Sequence, residues 1–120
     1  MFKAGITAFS VLLFITGCTP HPGTGLWLSP GANTDAITKV EVDFDRNVRI
    51  YSTASAEPAL QCRWRIIDTQ NLKLDCVYLI NTELKEKYRL IVTGNDTAEL
   101  YRANRFITKL IKHTVQPNAR

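Results

Sequence analysis

The sequence predicts an all-β domain, a small antiparallel up-and-down meander of seven to eight strands, and three observations predict it. From Gly25 onward apolar residues alternate with polar ones at a period of two. The alternating runs are separated by short clusters of Asp, Asn, Gly and Thr, the residues that build turns. Two cysteines, Cys62 and Cys76, fall opposite one another when the central runs are folded as a hairpin. A meander of this size closes most simply into a barrel, which removes its unpaired edges. An open β-sandwich is the alternative.

The elements follow in order. Gly25 to Ser29 forms the first short strand. Val40, Val42 and Phe44 then alternate with Lys39, Glu41 and Asp43, and after Asp45-Arg46-Asn47 the pattern resumes with Val48 and Ile50. A three-residue loop would pair Phe44 with Val48, Val42 with Ile50, and Asp43 with Arg49, keeping the apolar groups on one face. The second hairpin is longer. Cys62, Trp64 and Ile66 alternate with Arg63, Arg65 and Ile67; Asp68-Thr69-Gln70 turns; Leu72, Leu74, Cys76 and Tyr78 return. The register pairs Ile66 with Leu72, Trp64 with Leu74, and Cys62 with Cys76. The loop so closed spans about 15 residues, and a disulfide there is worth roughly 3 kcal/mol in the chain-entropy model.

A polar loop is expected around Asn81 to Lys85, followed by a third hairpin. Tyr88, Leu90 and Val92 point inward, Gly94-Asn95-Asp96 turns, and Thr97 to Arg102 returns with Ala98 and Leu100 inward. The last element, 105–112, reads two ways. Phe106, Thr108 and Leu110 make a strand face, whereas Phe106, Ile107, Leu110 and Ile111 sit at the spacing of a short C-terminal helix. The strand is preferred, because the spacing from Leu100 is short and meander-like.

The N-terminus is of another kind. Lys3 precedes an apolar run from Ala4 to Ile15, about a dozen residues. That is short of the roughly 20 needed to span a bilayer but suits the apolar core of a secretory signal. Ile15-Thr16-Gly17-Cys18 follows directly and resembles the lipobox of bacterial lipoproteins, with Ile15 and Thr16 as variants of the favoured Leu and Ala or Ser. The resemblance implies cleavage after Gly17, a diacylglyceryl group on the Cys18 thiol and N-acylation of the new terminus. It implies no other cofactor. Thr19 stands where an Asp would hold an enteric-type lipoprotein in the inner membrane, so the expected location is the periplasmic face of the outer membrane. Two or three acyl chains, each buried CH₂ adding about 0.8 kcal/mol, make attachment effectively permanent.

The domain plan is therefore 1–17 signal peptide, 18–24 linker, 25–112 β domain and 113–120 flexible tail. The linker, Cys-Thr-Pro-His-Pro-Gly-Thr, is stiffened by two prolines and reaches at most roughly 23 Å. With Cys18 assigned to lipid, Cys62 and Cys76 remain as an even pair in an oxidising compartment, where a disulfide is expected.

A second, shorter resemblance touches the domain itself. Gly25-Leu26-Trp27 is similar to the Gly-x-Trp that opens the first strand of lipocalin-like (calycin) barrels. The resemblance implies that Trp27 packs across the closed end of the barrel against a basic residue near the last strand, with Arg105 or Lys109 as candidates.

Catalytic chemistry finds little support. His21 and His113 have no cysteine or carboxylate neighbours at metal-ligand spacing, and no serine sits in a Gly-x-Ser-x-Gly elbow. Asp43 and Asp45 read as turn formers. An enzyme is not expected, nor is a metal site. Residues 1–17 hold Lys3 as their one charge, so the rest of the chain carries 14 basic against 11 acidic residues, a mild net of +3. No block of like charge points to nucleic acid. Arg49, Arg63, Arg65 and Lys73 would share an outer face if their hairpins adjoin, a basic docking patch for lipid headgroups, peptidoglycan or an acidic protein. Two functions remain. One is a lipid-anchored, non-enzymatic module that binds another envelope protein. The other is a carrier of a small apolar ligand inside the barrel.

Overall fold

Alternation of apolar and polar residues sorts side chains to the two faces of each strand, and antiparallel neighbours in matching register merge the apolar faces into one surface. The computed structural model describes residues 20–53 and 56–113. Its strands are β1 (Gly25–Leu28), β2 (Ile37–Val42), β3 (Asn47–Ser52), β4 (Leu60–Ile66), β5 (Asn71–Tyr78), β6 (Asn81–Val92), β7 (Thr97–Arg102) and β8 (Arg105–His113). They pair in chain order and close into an eight-stranded barrel. Closure is made by β1 against β8, with Trp27 opposite Lys112. The open sandwich and the C-terminal helix are both replaced by this closed, all-strand architecture.

The inner face forms one buried cluster. Trp27, Val40, Ile50, Leu72, Leu74, Leu90, Ala98, Leu100 and Leu110 are among its fully enclosed members. An eight-stranded barrel is just wide enough for side chains to fill, and these do so.

The β4–β5 register matches expectation pair for pair, with Cys62 opposite Cys76. The Ile67 N–H donates to the Asn71 carbonyl at 3.0 Å. Counting back in alternate steps makes Cys62 and Cys76 a non-hydrogen-bonded pair, the kind whose side chains lie closest. Their Cα atoms are 3.9 Å apart and the sulfurs are bonded.

Four details depart from the sequence reading. The β2–β3 register pairs Val42 with Val48 and Glu41 with Arg49, and the Asp43 N–H donates to the Asn47 carbonyl at 3.0 Å, so the three-residue loop is Phe44-Asp45-Arg46, one residue earlier than expected. Asp43 is the cause. Its Oδ1 accepts from the N–H groups of Asp45 (2.9 Å) and Asn47 (3.1 Å), and Arg46 takes a positive φ of 72°. This side chain-to-backbone turn competes with strand pairing and leaves Phe44 exposed at the loop tip. Second, Ile66 keeps its pairing with Leu72 but stands above the barrel mouth, exposed.

Third, the turn lies at Leu79–Ile80 and residues 81–85 belong to the twelve-residue β6, but the register jumps from Val77–Lys85 to Tyr78–Asn81, so the exposed residues 82–84 bulge away from β5. Fourth, β8 carries a bulge. Tyr101 pairs with Phe106 and Leu100 with Thr108, so Ile107 is the extra residue. The bulge turns Ile107 into the core and Phe106 outward, where its ring meets Tyr101 edge-on at 5.7 Å.

Candidate functional site

The barrel has two mouths, and a loop bridges each. The proximal mouth gathers the start of β1, the β2–β3, β4–β5 and β6–β7 loops and the end of β8. The distal mouth gathers the other four connections.

At the proximal mouth the segment 20–24 folds inward instead of serving as a stiff spacer. Thr24 N–H closes a turn onto the His21 carbonyl at 3.0 Å, and Gly23 and Thr24 are buried. Gly23 lies so close to Leu72 that a Cβ would meet Leu72 Cδ1 at 2.7 Å, so only glycine fits that position without a shift. Trp27 is fully enclosed beneath the turn and donates from Nε1 to the Gly23 carbonyl at 2.9 Å. The cation over Trp27 is Lys112. Its Nζ stands 5.0 Å from the ring centroid and donates to the Pro22 carbonyl at 3.2 Å. Gly25, at φ 129°, leaves room for it, since a Cβ there would meet Lys112 Cε at 3.2 Å.

Neither Arg105 nor Lys109 takes that place. Arg105 pairs with Arg102 at the far end of β8, and Lys109 with Glu99. Sequence reasoning missed Lys112 because the register of β8 against β1 is set only when the barrel closes.

His21 spans the mouth. Its Nδ1 accepts from the Gly23 N–H at 2.9 Å, which leaves Nε2 to donate to the Asp68 carbonyl at 2.8 Å. The ring also lies 6.4 Å from that of Trp64, whose own Nε1 donates to the Asp43 carbonyl at 2.8 Å. His21 is thus a structural residue, not a solvated one. Beside it a cleft of about 470 Å³ opens to the outside, lined by Pro20, His21, Pro22, Ile66, Asp68 and Thr69. Around this rim stand three large apolar side chains, Phe44 (72% exposed), Ile66 (61%) and Ile67 (52%).

The distal mouth is bridged by charge. Asp35, in the β1–β2 loop, accepts from Tyr88 Oη (2.8 Å) on β6 and from Arg102 Nε (2.8 Å) and Nη2 (3.2 Å) on β7. Burial pushes the Asp35 carboxyl up, but the hydrogen bonds from Arg102 and Tyr88 outweigh it and hold it below its ordinary value. Burial, then the hydrogen bond to Asp35, pushes the Tyr88 phenol far above its ordinary value. The cluster is a latch. Among the described residues no group of three or more His, Cys, Asp or Glu is placed to hold a metal.

Next to this mouth the β5–β6 turn projects Leu79 and Ile80, with Leu84 beside them on β6, all exposed. Ile80 is 90% exposed, the highest value among the large apolar residues described. A concavity of about 360 Å³ runs from this turn to Pro58 and Ala59.

The expected basic patch is brought together in part. Arg65 and Lys73 are cross-strand neighbours, and Lys73 in turn pairs with Arg89 of β6. Arg63 pairs with Asn47 and Asp75 and is exposed. Arg49 drops out, since its Nε binds Glu41 Oε1 at 2.9 Å and its Nη2 lies 3.8 Å from Asp43 Oδ2. Asp75 lies amid the cations, 3.2 Å from both Arg65 Nη2 and Lys87 Nζ. Arg89 and Lys87 were missed because only the register of β6 against β5 sets them beside Lys73 and Asp75. Gly17 and Cys18 lie outside the described residues.

No family model matches the chain, and no curated protein matches it in sequence. Among solved structures it is similar to Tp0751 (Pallilysin) of Treponema pallidum, with a TM-score of 0.52 and 10% identity over 95% of this chain and 100% of that one. At that identity the likeness is one of fold alone: a small β-barrel.

Proposed function

We propose that this chain is an outer-membrane lipoprotein, acylated at Cys18 and facing the periplasm. Its barrel is a non-enzymatic module that binds another envelope protein. The observation that carries the binding role is a contrast. The barrel interior is occupied by its own side chains, while Leu79, Ile80 and Leu84 stand exposed on a projecting hairpin. A carrier would need a continuous apolar void of roughly 300 Å³ or more inside the barrel, and the concavities at its two mouths open outward instead. Three large apolar groups on one tip are the kind of anchor that protein interfaces bury. The support for the anchor is the lipobox-like Ile15-Thr16-Gly17-Cys18 and the apolar run before it.

The test is purification of the detergent-solubilised protein from envelopes, beside a variant with Leu79→Ser, Ile80→Ser and Leu84→Ser. A protein recovered in stoichiometric amount with the native chain and lost from the variant supports the reading. Recovery of lipid-like small molecules without a protein overturns it in favour of the carrier. For the anchor, Cys18→Ala abolishes membrane attachment that survives a high-salt wash; a variant that still resists the wash contradicts acylation at that residue.

A further inference from the structure

We infer that the proximal rim of the barrel is itself a membrane-binding surface, in which Phe44, Ile66 and Ile67 enter the headgroup layer of the bilayer that holds the lipid anchor. The inference rests on the lipoprotein reading for its orientation and on the structure for its chemistry.

Three observations point the same way. The first is position. Pro20 lines the cleft beside Ile66 on this rim, and only Thr19 separates it from Cys18. Residues 21–24 are folded into the mouth and add no reach. The tether is then two residues long, about 7 Å when extended, not the seven residues the linker reading supposed. An acylated Cys18 would hold this rim, and no other part of the barrel, at the depth of roughly 5–10 Å to which interfacial apolar side chains sink.

The second is composition. Phe44 at the tip of the β2–β3 loop and Ile66 and Ile67 at the β4–β5 loop are exposed on adjacent loops of one mouth. The Trp64 N–H bonds the Arg46 carbonyl at 2.9 Å and so holds the two loops together. Neither loop needs these side chains for its own turn, which is made by Asp43 and Asp68 through backbone N–H groups.

The third is charge. Arg46 lies in the same loop as Phe44, and Arg63, Arg65, Lys73 and Arg89 stand on the wall just below the rim. The nearby acids are mostly engaged. Asp75 is shared by Arg65 and Lys87, and Asp68 is capped by the N–H groups of Gln70 and Asn71. Asp45 is exposed at the rim. An apolar tip with a surplus of cations behind it fits a phospholipid surface, the cations reaching the phosphates while the tip sits among the upper acyl carbons. The surface is lopsided. The β6–β7 loop, Gly94-Asn95-Asp96, offers nothing apolar, so the barrel leans on its β2–β5 side. The Leu79–Ile80 turn, at the opposite mouth, then faces away from the membrane.

The test uses residues 18–120 with Cys18→Ser, which include every strand and the whole core. Vesicles of phosphatidylethanolamine with phosphatidylglycerol are the probe, against vesicles of phosphatidylcholine alone. The chain is expected to co-sediment with the anionic vesicles, less so at high salt. Phe44→Ser with Ile66→Ser and Ile67→Ser should lower partitioning by roughly tenfold or more with little change in the thermal midpoint. Ile67→Ser alone serves if the triple variant does not fold. Equal partitioning of native and variant chains, no partitioning at all, or a self-association that the same substitutions abolish without vesicle binding overturns the inference. The mass of the Cys18 peptide from cells reports separately on acylation, so the two readings fail by different measurements.

Discussion

The two mouths of the barrel are closed by different physics. At the proximal mouth Gly23 packs tightly against Leu72 and accepts from Trp27, with indole and imidazole N–H groups satisfied by backbone carbonyls. At the distal mouth Asp35 draws the β1–β2 loop across to Tyr88 and Arg102 through charge-assisted hydrogen bonds. The proximal closure depends on shape and close packing. The distal one depends on ionisation, and so on pH. One fold accepts both because each needs only a loop long enough to cross an eight-stranded mouth.

The contrast is best broken at Trp27. Trp27→Ala removes the largest fully buried side chain and should cost about 3–5 kcal/mol, read by urea unfolding. The deficit should persist at acid pH. If it vanished there, the proximal closure would share the electrostatic character of the distal one.

The disulfide lies on the wall between the mouths and should stabilise both alike. Cys62→Ala with Cys76→Ala should cost about 3 kcal/mol, and reduction of the native chain should reproduce the loss. Hydrogen exchange that loosened only one mouth would show the two ends to be separate cooperative units.

Asp35→Asn sharpens the distal side. It should cost about 1–3 kcal/mol at neutral pH by leaving Arg102 without its anion. Asp35 is held below its ordinary value in the fold, so its contribution is fully present above the unfolded carboxyl value, near 4. It is lost as pH falls through the lower folded value. Native and variant denaturation midpoints should therefore converge in acid; a gap that widens there contradicts the latch.

The smallest effect concerns backbone. Ala103 holds a positive φ of 57° in the β7–β8 turn, where a Cβ is disfavoured. Ala103→Gly should raise stability by about 0.5–1 kcal/mol at the distal end alone. A thermal midpoint that falls instead would mean that the methyl group makes a compensating contact.

The β4–β5 hairpin was legible because its alternation is long and its cysteines restrict the register to one choice. The candidate site was legible only in pieces. Phe44 and Ile66 continue their strands' apolar pattern, yet both end up exposed. In one case an Asp43 turn moves the loop one residue earlier and takes Phe44 into it, and in the other the strand outruns the barrel. Phe106 and Ile107 exchanged places because a one-residue bulge reverses the faces beyond it. Arg65 and Lys73 could be paired on paper, whereas Arg89 could be added only once β6 was registered against β5.

By itself the sequence determined the all-β class, the central hairpin and its disulfide, and the inward faces of β6 and β7, since these follow from local alternation and short-range pairing. Tertiary structure decided which cation covers Trp27, that residues 21–24 fold into the proximal mouth, and that Asp35 reaches Tyr88 and Arg102. Each of these contacts joins segments far apart in the chain, and their geometry exists only after β1 and β8 have met.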